Sequence, residues 1–210
     1  MEILVADEEH FMYCEPLCIM IQDAAKKRGT GIAKRTPEYL REKIAEGKAV
    51  IAIDKGEAVG FCYIESWQGN KFVANSGLIV TESHRKTGLA KKIKARILQL
   101  SQETFPKSRV FGITTSLAVM KINSDLGYKP VTFSELTEDE KFWNGCKSCV
   151  NYDILQRNNR QNCLCTAMVC PPKENTTPLK APETRWEKFR GFLKERKARI
   201  KRKYNIKIDI

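Results

Sequence analysis

The chain has 210 residues, 42% of them hydrophobic, which is enough for one domain with a full core. No apolar run approaches the ~20 residues of a bilayer-spanning helix, so a transmembrane helix is not expected. The net charge is +12, but residues 173–210 hold 13 Lys and Arg against 5 Asp and Glu. The other 172 residues carry 24 basic and 20 acidic side chains, so the charge does not indicate a nucleic-acid-binding fold.

The first nine residues, Met1–Glu9, are acidic and lack the basic region with which a signal peptide begins. We therefore expect a cytoplasmic protein. In that reducing compartment the eight cysteines are expected to remain thiols rather than to form a disulfide framework.

Strand and helix patterns follow one another through the first half of the chain. Asp7 and Thr36 are residue types that cap helices, and Pro37 suits a first helical position. The predicted elements are a strand at Ile3–Val5, helices from Asp7 to about Arg28 and from Thr36 to about Glu46, and strands at Ala49–Ile53, Ala58–Ser66 and Lys71–Val80. A turn at Asp54-Lys55-Gly56 joins the second and third strands. A basic loop with two glycines, Gly29–Arg35, separates the helices.

The second half continues the alternation of helix and strand patterns. After the third long strand comes a helix with one apolar stripe, formed by Leu89, Ile93, Ile97 and Leu100. Its basic side chains are expected to be solvated; they are Lys91, Lys92, Lys94 and Arg96. The predicted elements are this helix to about Thr104, a strand at Arg109–Thr115, a helix at Leu117–Leu126 between the cap Ser116 and Gly127, a strand at Tyr128–Phe133, a short helix opened by the capping box Thr137–Glu140, and a last strand at Val150–Leu155.

The C-terminal part differs in composition from the body. Half of the eight prolines fall in Pro171–Pro182, which indicates a linker. Thr184–Tyr204 has the pattern of a basic amphipathic helix, expected to dock its apolar edge on the domain or on a second copy in a homo-oligomer. Contact with anionic lipid or nucleic acid is the alternative. The predicted domain organisation is 1–170 for the main domain, 171–182 for the linker and 183–210 for the helix.

The run Arg85-Lys86-Thr87-Gly88-Leu89-Ala90 lies between the apolar stretch Gly77–Val80 and the next helix. A strand, a tight loop and a helix in this order present unpaired backbone N–H groups and the positive end of a helix dipole to an anion. A diphosphate suits such a site.

The order R-x-x-G-x-A resembles the acyl-CoA loop of the GNAT N-acyltransferase family. The order of predicted elements from Met1 to about Leu155 is also similar to that family. The resemblance implies an α/β (α+β) fold, with a mixed sheet of six to seven strands flanked by helices. It also implies an enzyme that moves an acyl group from acyl-CoA to an amine.

The resemblance assigns residues to the acyl-CoA. In the family, the strand before the phosphate loop splays from the next strand, and the pantetheine arm lies in the gap. This places Leu78, Ile79 and Val80 against pantetheine and residues 85–90 against the pyrophosphate. Asn123 resembles the family's helix-borne Asn, which meets the CoA arm.

The reaction needs a base, an oxyanion donor and an acid, because an amine attacks the thioester directly. A backbone N–H near Ile79 or Val80 is the expected oxyanion donor. Many family members place a Glu on the strand before the loop, but this strand has no carboxylate. Glu65 and Glu82 are the candidate bases, with a water chain as the alternative. Tyr128 is the candidate acid, with Tyr63 as the alternative.

The loop Gly29–Arg35 lies where the family places its acceptor-facing loop. Lys34 and Arg35 are expected to bind carboxylates, or else to be a solvated basic pair. Thr115 is expected to add a hydroxyl.

Three further stretches, Gly29–Tyr39, Phe111–Val131 and Gly145–Cys165, are similar to stand-alone GNAT proteins of N-acylglutamate synthesis. That resemblance implies glutamate as acceptor, acetyl-CoA or succinyl-CoA as donor, and a role in arginine biosynthesis. Another small amine or a protein amine is the alternative acceptor.

Four cysteines form two close pairs, Cys146-x-x-Cys149 and Cys163-x-Cys165. Zinc sites often combine two such pairs, so a structural zinc is one hypothesis. The alternative is four reduced, partly buried thiols. A non-catalytic, zinc-stabilised binding module is the remaining functional alternative.

Overall fold

The computed structural model describes residues 1–28 and 35–173, which form a seven-stranded mixed sheet flanked by helices. The strands are β1 (Glu2–Val5), β2 (Ala49–Asp54), β3 (Glu57–Trp67), β4 (Phe72–Val80), β5 (Arg109–Thr114), β6 (Lys129–Val131) and β7 (Thr166–Cys170). The α-helices are α1 (Cys14–Arg28), α2 (Pro37–Ala45), α3 (Leu89–Thr104), α4 (Leu117–Asp125), α5 (Glu140–Asn144) and α6 (Tyr152–Arg157). This architecture confirms the predicted fold class.

The strands are ordered β1-β2-β3-β4-β5-β7-β6 across the sheet. Every neighbouring pair is antiparallel except β4 and β5, which run parallel. A parallel pair needs a crossover, and here α3 supplies it. The turn between β2 and β3 contains Lys55 and Gly56, both at positive φ, as a two-residue hairpin turn requires.

The two faces of the sheet bury different helices, because side chains alternate along each strand. On β3, Cys62 and Ile64 belong to a cluster that packs under α3. The intervening Phe61 and Tyr63 belong to a cluster that packs under α1 and α2. The sheet is therefore covered by helices on both faces. An opening between β4 and β5 connects the two helical layers.

The connection between β6 and β7, residues 132–165, forms a third packed region over β5 and β7. It contains α5 and α6, and its Phe142 and Trp143 rings pack edge to face at 4.9 Å between centroids. Phe142 also contacts Phe111 of β5, at 5.1 Å between centroids. This connection places a wall beside the end of the sheet where β4 and β5 meet.

The last predicted strand is wrong, because Val150–Leu155 overlaps helix α6 rather than a strand. Tyr152 and Leu155 are three residues apart, so a helix turns both side chains towards the third packed region, where Leu155 is buried. The final strand is instead Thr166–Cys170, which pairs with β5 and β6.

Two helix starts also differ from the prediction. Asp7 caps a 3₁₀ turn, Glu8–Tyr13, and the α-helix begins only at Cys14. Asp139, not Thr137, caps α5, since its carboxylate accepts the Lys141 N–H at 2.9 Å.

Other local signals are confirmed. Thr36 and Ser116 accept N–H bonds as N-caps of α2 and α4, and Gly127 has a φ of 88° beyond α4. Within residues 1–28 and 35–173 no helix is both long and apolar enough to cross a bilayer. Most of the predicted linker and the whole C-terminal helix lie outside the described residues, as does the loop 29–34.

Candidate active site

The parallel strands β4 and β5 separate, and a cleft of about 950 Å³ opens between them. Their pairing covers only three positions and ends at Ala74 and Phe111. Beyond this point β4 continues to Val80 without a partner on that side, while β5 continues beside β7. The predicted separation of the strands is therefore present. It leaves backbone groups of β4 available along one wall of the cleft.

A β-bulge in β4 shapes the cleft at Gly77. Phe61 pairs with Ile79 and Tyr63 with Ser76, so β4 uses one residue more than β3. Gly77 has a φ of 67°, and a Cβ there would lie 2.4 Å from the Tyr63 ring. Glycine is thus required both by the backbone conformation and by the close approach of Tyr63.

The loop after β4 is an exposed turn that leads into α3. Gly88 occupies the N-cap position at a φ of 85°, and no side chain caps the helix. The first N–H groups of α3 have no intrahelical acceptor, as at any helix start. Arg85 and Lys86 are exposed beside them. The Thr87 hydroxyl donates to the His84 carbonyl at 2.7 Å and thereby fixes the turn. The loop thus combines N–H donors and positive charge, as an anion site requires.

Between this loop and the floor of the cleft lie the residues assigned to pantetheine. Leu78 and Ile79 line the cleft, whereas Val80 does not. Asn123 also lines it and is buried. Its Oδ1 has no hydrogen-bond partner within the described residues, so it suits an N–H donor of a bound ligand such as a pantetheine amide.

At the other end of the cleft, four polar side chains come together from β3, from α2 and from the residues just before α2. The Arg35 Nε donates to the Tyr63 hydroxyl, and the Tyr39 hydroxyl donates to Glu65 Oε1. The guanidinium also lies over both rings, 5.3 Å from the Tyr39 centroid and 5.6 Å from that of Tyr63. All four line the cleft, so a cation and a carboxylate are held close together at its wall.

The two candidate bases are placed very differently. Glu65 lies at the end of β3 in the cleft. Glu82 is exposed, forms an ion pair with Lys27 at 2.6 Å, and is not among the residues that line the cleft. Only Glu65 is thus in position to contact a molecule bound there.

The two candidate acids also differ in access. Tyr128 is buried, donates its hydroxyl proton to Asn75 Oδ1 at 2.8 Å, and does not line the cleft. Tyr63 does line it. Burial raises the pKa of both hydroxyls, so both remain protonated at neutral pH.

Of the two remaining residues predicted to bind substrate, one lies within the described residues and the other does not. Thr115 follows β5 and lines the cleft, while Lys34 lies outside the described residues. Three side chains that were not predicted as site residues also line the cleft. Lys94 and Asn75 meet at the floor, and Trp67 lies towards the β6–β7 connection with a buried indole N–H that has no partner within the described residues.

The expectation of a solvated Lys94 is wrong, since only 2% of this residue is exposed. It is spaced four residues from Ala90 and from Leu98 and seven from Ser101, so these residues share one face of α3. Leu98 and Ser101 are both buried. This spacing is the sequence signal that could have identified Lys94 as buried.

The four cysteines gather on the wall that the β6–β7 connection adds to the cleft, and all four line it. Burial raises the pKa of Cys146 to about 11 and that of Cys165 to about 12, with a further rise from the neighbouring thiols. However, among residues 1–28 and 35–173 no three Cys, His, Asp or Glu side chains are arranged to hold a metal ion. The four thiols thus meet, as the zinc hypothesis needs, but without the ligand geometry of a closed tetrahedral site.

Elemental analysis of the purified protein tests the zinc hypothesis. From the arrangement of the thiols we expect no stoichiometric zinc, and a melting temperature that a chelator leaves unchanged. About one zinc per chain, together with a lower melting temperature after chelation, would instead establish a structural site. Cys62→Ser, which removes a buried thiol elsewhere, is the control for single Cys→Ser changes in the cluster.

Comparisons with known proteins address both the sequence and the fold. A family model described as the acetyltransferase (GNAT) family matches residues 19–117. A comparison with curated proteins gives no significant match.

Several solved structures share the fold. N-acetylglutamate synthase from Neisseria gonorrhoeae, complexed with coenzyme A and N-acetyl-glutamate, is 17% identical with a TM-score of 0.58; the match covers 81% of this chain and 35% of that one. Rv2747 from Mycobacterium tuberculosis, in complex with CoA, is 15% identical with a TM-score of 0.58; the match covers 81% of this chain and 99% of that one. Diaminobutyrate acetyltransferase EctA from Paenibacillus lautus is 11% identical with a TM-score of 0.55; the match covers 81% of this chain and 94% of that one. This chain thus spans about a third of the gonococcal protein, and identities this low establish the fold alone.

Proposed function

We propose that the chain is a member of the GNAT acetyltransferase family, whose model matches residues 19–117, and that it transfers an acyl group to the α-amino group of glutamate. The donor is acetyl-CoA or succinyl-CoA. The enzyme class, an acyl-CoA-dependent N-acyltransferase, follows from the family. The acceptor, a role in arginine biosynthesis, a homo-oligomer and a cytoplasmic location are our proposals.

The donor half of the proposal is supported by the two ends of the CoA path. The N–H groups at the start of α3 and the charges of Arg85 and Lys86 suit a pyrophosphate. Asn123 Oδ1 and the unpaired edge of β4 suit the amides of pantetheine. In this arrangement residues 85–90 bind the diphosphate, and Leu78 and Ile79 flank the arm that carries the thioester.

The observation that carries the acceptor proposal is that Arg35 and Glu65 line the same cleft, each held by a tyrosine. A free amino acid carries both a carboxylate and an ammonium group, and the two side chains match them in charge. A guanidinium binds a carboxylate through two parallel N–H bonds, which also fixes its orientation. Thr115 lines the same cleft and supplies a hydroxyl. An acidic amino acid adds a second carboxylate, for which Lys34 is our proposed partner.

In the proposed reaction the acceptor ammonium first loses a proton to Glu65, directly or through water. The free amine then attacks the thioester carbon, and the oxyanion that forms accepts a backbone N–H of β4 near Ile79. After the attack the nitrogen releases its second proton to solvent, and collapse of the intermediate breaks the carbon–sulfur bond, so the amide forms and CoA leaves as a thiolate. The thiolate then takes up a proton; of the two tyrosines predicted as the acid, Tyr63 lines the cleft and Tyr128 does not.

A panel of free amino acids with acetyl-CoA and with succinyl-CoA, measured by release of the CoA thiol, tests the proposal. We expect glutamate to give the highest kcat/KM with at least one donor. Glutamine and ornithine are the matched controls, because glutamine lacks the second carboxylate and ornithine replaces it with an amine. Higher activity with either control, or with a protein amine, would contradict the acceptor assignment.

A further inference from the structure

A buried ammonium group lines the cleft without an acidic partner among residues 1–28 and 35–173. Lys94 lies on the inner face of α3, is 2% exposed and contributes to the cleft wall. Its Nζ donates to Asn75 Oδ1 at 3.3 Å and lies 4.8 Å from the centroid of the Tyr128 ring. Lysine is rarely buried without a paired charge, so this placement needs a reason.

The contacts of Asn75 fix the position of this ammonium. The Asn75 amide nitrogen donates to the Ser101 hydroxyl at 2.7 Å, which in turn donates to the Ile97 carbonyl at 2.7 Å. The amide oxygen is thereby turned towards Lys94 and Tyr128, and it accepts from both. The network holds the lysine in place but supplies no negative charge.

The titratable groups that face Lys94 come from three other parts of the sheet. They are Cys62 on β3, Cys170 on β7 and Tyr128 before β6. Burial raises the pKa of Cys62 to about 11 and also raises those of Cys170 and Tyr128. All three groups are therefore neutral at pH 7. Within the described residues no carboxylate contacts the ammonium, so its counter-charge is expected from a bound molecule.

The position of Lys94 indicates which part of a bound molecule it meets. Asn75 directly follows Ala74, the last β4 residue that pairs with β5, so Lys94 lies at the point where the two strands separate. If acyl-CoA binds with its diphosphate at residues 85–90, as proposed above, its thioester end reaches towards this point. In the proposed reaction, negative charge develops at the thioester first on the carbonyl oxygen and then on the departing sulfur.

We propose that Lys94 is the proton donor to the CoA thiolate, an inference that rests on the proposed function. When the tetrahedral intermediate collapses, the carbon–sulfur electron pair moves to sulfur. The Lys94 ammonium gives that sulfur a proton and becomes a neutral amine. The proton that the acceptor lost to Glu65 returns to Lys94 through solvent, so the enzyme is restored.

The chemistry of a buried lysine suits this task. Burial lowers the pKa of Lys94 to about 8, while an alkyl thiol such as a Cys side chain has a pKa of about 8.5. Proton transfer between groups of similar pKa is efficient. The active form is the ammonium, so kcat is expected to be full below the Lys94 pKa and to fall as pH rises through about 8.

A first experiment uses CoA alone and does not depend on acyl transfer. We expect the thiol of CoA bound to the wild-type protein to titrate at a lower pH than that of free CoA, because the ammonium stabilises the thiolate. The titration is followed by the ultraviolet absorbance of the thiolate. In Lys94→Met the bound thiol should titrate at least as high as in free CoA, whereas Lys92→Met, an exposed lysine on the same helix, should behave as wild type. Identical titrations in wild type and Lys94→Met would overturn the proposal.

The variants are expected to fold, because burying a charge is costly and an apolar side chain of similar volume removes that cost. Lys94→Gln is a second neutral variant, and its amide can still donate to Asn75. Melting temperatures and CoA affinity establish that both variants are intact. The same thiol titration is then expected from both.

A second experiment separates proton donation from recognition of the acyl group. We expect Lys94→Met to lower kcat by about a hundredfold or more with acetyl-CoA and succinyl-CoA alike, with little change in donor KM and without the loss of rate near pH 8. Lys94→Arg keeps the charge but cannot release a proton, so it should be equally slow. A loss confined to succinyl-CoA would overturn the proposal and make Lys94 a carboxylate-binding residue. If the wild type acylates no amine, the proposed function fails, while the thiol titration still decides the role of Lys94.

Discussion

Replacement of Gly88 by Asp is expected to weaken binding of CoA by about a hundredfold or more while leaving the fold intact. The new carboxylate would stand at the start of α3, where it repels the diphosphate and competes for the N–H donors that bind it. A hydrogen bond to a charged group contributes ~1.5–3 kcal/mol, and loss of two such bonds accounts for this factor. Calorimetric titration with CoA measures the effect.

The fold should tolerate this change, because a Cβ at Gly88 would meet no atom within 4 Å. The φ of 85° is strained for Asp, although Asp enters this region more readily than most residues. Gly56→Asp is the matched control: Gly56 has a φ of 82° and equally open surroundings, but lies in the β2–β3 turn. An unchanged Kd in Gly88→Asp, or an equal loss in the control, would remove the diphosphate from this loop.

Replacement of Arg35 by Ala is expected to raise the acceptor KM by about thirtyfold or more, with little effect on acyl-CoA binding. Losing one partner of a desolvated charge pair costs ~2–5 kcal/mol, which corresponds to at least this factor. The change also removes the donor to the Tyr63 hydroxyl and the cation that stacks on Tyr39. Steady-state kinetics with glutamate as the varied substrate measures the effect.

Two variants make the Arg35 result specific. Arg35→Lys keeps the charge but loses the fork that binds a carboxylate through two bonds, so an intermediate KM is expected. Arg41→Ala removes an exposed guanidinium from α2 outside the cleft, and its acceptor KM should match that of the wild type. If Arg35→Ala also behaves as wild type, the acceptor carboxylate is bound elsewhere.

The order of elements up to β6 was predictable because its signals are local. Thr36, Ser116 and Gly127 act on backbone groups within a few residues of themselves, and the structure contains each cap and stop. The region 132–165 was less predictable. Short apolar runs such as Val150–Leu155 suit a strand or a helix equally well. Here packing against the third packed region, over β5 and β7, favours the helix.

The proposed donor and acceptor ends of the site also differ in how local their sequence signals are. The loop 85–90 is one continuous segment, so its character as an anion site was readable from six residues. The acceptor end joins Arg35 to Tyr63 and Tyr39 to Glu65, pairs separated by 28 and 26 positions in the chain. No spacing rule links such residues, and Glu82 was as good a candidate base as Glu65 until Glu82 was found exposed beside Lys27.

By itself, the sequence determined the alternation of strands and helices and the anion-site character of the loop 85–90, because short-range hydrogen bonding and side-chain periodicity specify these features. Only the tertiary structure decided which polar groups share the cleft. Lys94, Asn75 and Tyr128 lie on α3, on β4 and before β6, and they meet because the separation of β4 from β5 opens the sheet at the point where these elements converge. The burial and the lowered pKa of Lys94 follow from that convergence, since desolvation depends on which elements surround a charge.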